Sequence, residues 1–136
     1  MFASTQMGGV NMAFPDVCLT PMPPFGIPAP IPYPNVAAGL LANPGTAAIK
    51  VLTVCMPTHN MMTMGTISMG DTPGVMMGVM SAMIMGPHRT LIPAFTTLMG
   101  GLPTSRLLSM MGQNGLALNI PGVTIAPAQP KVLVMK

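Results

Sequence analysis

Proline sets the first limit on this chain. Of its 17 prolines, eight fall within residues 15–35, PDVCLTPMPPFGIPAPIPYPN. Each proline ring fixes φ and removes a backbone N–H, so this stretch cannot be helical and is expected to follow an extended, polyproline-like path with turns, not a central strand. Val17, Leu19, Phe25, Ile27, Ile31 and Tyr33 are interleaved with the prolines. A solvated linker lacks apolar side chains at that density, which favours an ordered strap lying on the domain.

From Ala48 onward, short apolar runs alternate with Gly, Pro, Asn and Asp. That pattern predicts an all-β chain with many turns, with strands over 49–56, 60–66, 75–79, 82–85, 96–99, 106–109, 116–120 and 131–135. The run 74–86 (GVMMGVMSAMIMG) is the most apolar. It falls short of the roughly 20 residues that span a bilayer, and reads as a buried strand pair or a short core helix. Residues 51–61 repeat over 97–107 at a constant offset, with Leu52/Leu98, Pro57/Pro103 and Thr58/Thr104 identical. Such a match suggests two strand-turn-strand units sharing a core, or coincidence in a biased composition. The length, 136 residues, implies one domain.

Charge narrows the function. Only Asp16, Lys50, Asp71, Arg89, Arg106, Lys131 and Lys136 are formally charged, against 18 methionines and 15 glycines. A free globular domain covers itself with about a quarter charged residues, so much of this surface is expected to lie against something larger. The cations are scattered and tryptophan is absent, which argues against nucleic-acid binding. The first residues lack a basic leading region before an apolar run, so no secretory signal is read and a cytoplasmic origin is expected. In that compartment Cys18 and Cys55 are expected as buried thiols or metal ligands, in preference to a disulfide. Asp16 and Asp71 are the only carboxylates. Both read as turn caps, with orientation of a metal-bound histidine as the alternative for Asp16. No Ser-His-Asp set, acidic pair or phosphate-binding glycine loop is present, so an enzyme is not expected.

Several blocks in order, FASTQMGGVNMAFPDVCLTP, IPAPIPYPN, CMPTHN, SMGDTPGVMMGVMSAMIMGP and QPKVLVMK, resemble the PAAR-like proteins, in the subgroup marked by a Pro-Ile-Pro-Tyr stretch. Here that stretch is Pro30-Ile31-Pro32-Tyr33, and Pro103-Thr104-Ser105-Arg106 stands where the wider family has Pro-Ala-Ala-Arg. The resemblance implies a small β-rich cone over 48–136 that caps the trimeric, VgrG-like spike protein of a contractile injection system, such as type VI secretion or a phage-tail-like particle. It implies assembly in the cytoplasm, delivery at the tip of the apparatus, only transient membrane contact, and a bare tip or an adaptor for an effector or toxin. It also implies one structural zinc ion, for which Cys18, Cys55, His59 and His88 are the candidate ligands. The spacing Cys55-x-x-x-His59 suits one metal around a turn, although strand alternation would equally point Cys55 inward. Methionine would either fit the cone to three differently placed spike subunits or fill its core. The alternative function is a small zinc-dependent hydrolase with His59 and His88 on the metal.

Overall fold

The structure, a computed structural model, describes residues 1–135. They form ten strands: β1 (Val10–Met22), β2 (Ile27–Ala38), β3 (Ala48–Thr53), β4 (Met56–Thr58), β5 (Met64–Gly65), β6 (His88–Ile92), β7 (Ala94–Met99), β8 (Leu102–Thr104), β9 (Met110–Gln113) and β10 (Ile120–Ala126). Six make one antiparallel sheet in the order β2-β1-β10-β9-β6-β5, and β3–β4 and β7–β8 are separate hairpins. The all-β expectation holds. Among the described residues no helix is long and apolar enough to cross a membrane.

The proline-rich stretch is not a polyproline strap. It is part of the longest hairpin of the fold, β1 paired with β2 from Val10↔Ala38 to Met22↔Ile27. The prolines permit this because of where they fall. Pro28, Pro30, Pro32 and Pro34 take alternate positions of β2, an edge strand, and alternate N–H groups point to one side of a strand. Val36, in phase with these prolines, sends its N–H to the Met69 carbonyl, away from β1. The donors lost to proline therefore lie on the outer edge, and Pro15 sits at the register shift between Ala13 and Asp16.

Residues 74–86 are also different from the expectation. They form no strand or helix, only turns with a single bridge from Gly78 to Cys18. Val75, Met76, Met77, Val79, Met80 and Met83 are exposed. The expected strands at 106–109 and 116–120 are mostly turns, with β9 starting just beyond the first, at Met110, and β10 at the last residue of the second, Ile120. High hydropathy was a poor guide because this protein distributes polarity in an unusual way. Among the buried hydrophobic residues only Met111 and Val134 are larger than alanine or cysteine, while Asn35, Gln113, Asn114, Gln129, Thr5, Thr58 and Thr104 are fully buried. Methionine does not fill the core. The interior is instead a packed set of small and hydrogen-bonding side chains, many of them paired with one another, although Asn35 Oδ1, His88 Nδ1, both amide atoms of Gln113 and the hydroxyls of Thr104 and Thr124 have no partner.

Candidate functional site

The repeat seen in the sequence is real in the fold, and it has a third copy. Ala48↔Thr58, Leu52↔Pro57 and Thr53↔Met56 in β3–β4 match Ala94↔Thr104, Leu98↔Pro103 and Met99↔Leu102 in β7–β8, position for position. Both hairpins turn through two residues with positive φ, Val54 and Cys55 at 55° and 63°, and Gly100 and Gly101 at 68° and 81°. The third copy joins the two ends of the chain. Phe2 bridges Leu133, and Ala3 donates its N–H to Val132 at 3.0 Å. Phe2 and Leu133 thus take the places of Pro57 and Leu52.

Main-chain hydrogen bonds close the three copies into a ring. Ser4 donates to the Ser105 carbonyl (3.0 Å), Ser105 to His59 (3.1 Å) and His59 to Ser4 (2.9 Å). A second set, Gln6 to Pro57, Met61 to Pro103 and Leu107 to Phe2, joins the same three copies with donors and acceptors running round the ring in the opposite sense. The bridges Thr5↔Thr58, Asn60↔Thr104 and Ala3↔Arg106 join them too. The molecule therefore has an internal pseudo-threefold axis. Each copy presents a leucine at the equivalent place, Leu52, Leu98 and Leu133, exposed to 62%, 61% and 56%.

A small cavity of about 20 Å³ is lined by the three equivalent residues Ser4, His59 and Ser105, and by His88 and Thr124. Gln6 donates its amide nitrogen to the carbonyls of Leu40 (3.0 Å) and Ala42 (2.6 Å), so its amide oxygen faces His59 Nε2 at 3.1 Å. His59 must then carry its proton on Nε2 and a lone pair on Nδ1. His88 lies flat on Gly65, where a Cβ would come within 1.7 Å of the ring. Its Nδ1 and the Thr124 hydroxyl have no partner. Burial pushes His59 down to about 4, with His88 as a further cause. Burial also pushes His88 down to about 4, against a hydrogen bond to the Ile67 carbonyl. Both rings are neutral at neutral pH.

A second cluster lies on β1 and the loop that follows β5. Asp16, Cys18 and Asp71 are all buried, and their donor atoms lie within 4.8 Å of one another, the one such group of three or more His, Cys, Asp or Glu among the described residues. Cys18 Sγ is 4.0 Å from Asp16 Oδ1 and 3.8 Å from Asp71 Oδ2. Asn35 donates to Asp16 at 2.5 Å, and Asn119 donates to the other oxygen of Asp16. Asn114 directs its amide N–H at Cys18 Sγ over 3.6 Å. Met85 N–H donates to Asp71 at 3.1 Å. Burial pushes the Cys18 thiol up to about 12, helped by Asp16 and Asp71. Burial likewise raises Asp71, against the Met85 hydrogen bond.

The four expected zinc ligands are thus not gathered. His59 and His88 share the axial cavity, Cys18 belongs to the acidic cluster, and Cys55 is exposed at a hairpin turn. A closed four-donor zinc site does not fit the cavity residues, because neither cysteine lines it. The hydrolase alternative gains nothing here, since both carboxylates lie in the other cluster. Reading the two Asp residues as turn caps missed their convergence on Cys18. The third repeat was missed although Lys131-Val132-Leu133 copies Lys50-Val51-Leu52. Residues 9–122 match the family model described as the toxin PAAR-like domain. No curated protein and no solved structure matches the chain.

Proposed function

Because the chain belongs to the toxin PAAR-like family, we propose that it is the tip of a trimeric spike in a contractile injection system of the type VI or phage-tail-like kind. The observation that supports this reading is the pseudo-threefold ring. A single chain placed on the axis of a trimer faces three identical subunits, and it can offer each the same contact only if it repeats its own surface three times. Leu52, Leu98 and Leu133 are such a repeat.

The surface around them suits a permanent cover. Ile49, Phe95 and Met56 are exposed beside the leucines, and interface centres are poor in charge and rich in aromatic residues and methionine. In this reading the protein is assembled in the cytoplasm, leaves at the head of the apparatus, and links an effector to the spike or pierces an envelope without catalysis. The test is native mass spectrometry of the chain with the trimeric spike protein of its own particle. One copy per trimer is expected. Three copies per trimer, or no complex, would overturn the reading.

A further inference from the structure

We propose that Asp16, Cys18 and Asp71 hold one divalent metal ion, zinc by its donor chemistry. The site is separate from the axial cavity and does not depend on the spike reading.

Three observations lead there. The donor spacing is close to what one ion needs. With metal–sulfur near about 2.3 Å and metal–oxygen near about 2.0 Å in a tetrahedral site, sulfur and oxygen stand about 3.5 Å apart; here the two distances are 4.0 and 3.8 Å. Next, Asn35 is fully buried, its amide head reaches Asp16, and its oxygen has no partner. The amide head that holds Asp16 thus keeps a buried acceptor with no donor or cation in reach. Last, the surrounding groups are all donors: the amides of Asn35, Asn114 and Asn119 and the Met85 N–H point at the cluster. Donors arranged in this way orient anionic ligands, as hydrogen bonds around a metal do. Among the described residues no lysine or arginine is set against the cluster, so its buried carboxylates are costly to ionise without a cation.

The donor set selects among ions. Magnesium and calcium take oxygen and reject thiolate, whereas zinc accepts a thiolate with carboxylates. Bound there, the ion would tie β1 to the loop at 70–86, a region with almost no apolar core. Small domains with thin cores commonly use a metal in this way.

Zinc binding is measured on the full chain by competition with a chromogenic chelator, and cobalt is used as a spectroscopic probe. One zinc per chain is expected, with a Tm that rises with zinc and falls on chelation. Cys18→Ser and Asp71→Asn should each weaken binding by about tenfold or more, while Cys55→Ser and His88→Asn bind as the unaltered chain does. Should the Cys18 or Asp71 variants fail to fold, the cobalt spectrum decides: Cys55→Ser, with Cys18 its sole thiol, must show thiolate-to-cobalt charge transfer. Absence of that band, a folded chain that binds no zinc, or binding lost in His88→Asn but kept in Cys18→Ser would each overturn the site.

Discussion

The ring around the axis is closed by main-chain hydrogen bonds, six of them in two threefold sets, between segments whose side chains differ from copy to copy. The loop at 70–86 has main-chain turns of its own, such as Gly74 to Asp71 and Ala82 to Gly78, and a few main-chain bonds to Val17 and Leu19, but its remaining ties run to particular side chains. Asp71 receives Met85, Asn114 receives Gly86, and Asn119 receives Met80 and Ser81. One region repeats a backbone pattern and tolerates Ser, His and Ser at equivalent places. The other repeats nothing, and each polar residue has a task no neighbour can take over. Substitutions should therefore spread their effects differently: small and shared in the ring's side chains, large and local in the cluster, with steric positions the exception in both.

The largest effect is expected where the ring region has no room. Gly65→Ala would place a methyl inside the His88 ring, and main chain on one side and a buried ring on the other leave no easy shift. A loss of about 3 kcal/mol or more is expected in chemical denaturation. A near-neutral result would mean that His88 is loosely held.

Asp71→Ala comes next. It leaves the Met85 N–H without its acceptor and removes the nearer of the two carboxylates that face the Cys18 thiol, at about 1–3 kcal/mol. The signature that separates the two regions is location: protease cutting should appear within 70–86 while the amides of Ser4, His59 and Ser105 stay protected from exchange. Loss of protection in both regions together would merge them into one cooperative unit.

Acid should distinguish the regions more gently. His59 and His88 have an ordinary value of 6.5 when unfolded and about 4 when folded. On acidification the unfolded chain takes up protons first, so stability present above the ordinary histidine range is lost progressively as pH falls from about 6.5 towards about 4. Asp71 is raised, so it works in the opposite sense: its contribution is present below the ordinary carboxylate range and fades as pH rises through its folded value. Scanning calorimetry from pH 7 to 5 should show a falling Tm, and His88→Asn should flatten the slope. An unchanged Tm across that interval would refute the neutral, buried histidines.

The smallest effect is a gain. Cys55 occupies a positive-φ position where its ring counterpart has Gly101. A non-glycine residue there costs about 1 kcal/mol, so Cys55→Gly should raise stability by that order. Destabilisation would show that the thiol has a partner.

The same contrast explains what could be read from the sequence. Two copies of the hairpin were legible because Leu, Pro and Thr recur at one spacing. The third was not, since it is split between Phe2–Gln6 and Lys131–Val134 and lacks the proline. The all-β class followed from turn residues, yet β1 and β2 were hidden because proline normally excludes a strand, and only its alternate placement on an edge allows one. The loop at 70–86 was misplaced for a different reason. Hydropathy reports burial only when a chain encloses its own apolar surface, and here Met76, Met80 and Met83 face outward. The cluster of Asp16, Cys18 and Asp71 joins residues far apart in sequence, and no local pattern announces it.

Three equivalent faces, one for each spike subunit, are what a tip on a trimer axis requires. The most direct test is the affinity of the trimeric spike partner for Leu52→Asp, Leu98→Asp and Leu133→Asp, each made singly in a chain shown to be folded. Similar losses at all three, of about 1–3 kcal/mol each, are the result this account predicts. A loss at one leucine with the other two unaffected, or no loss at any, would contradict it.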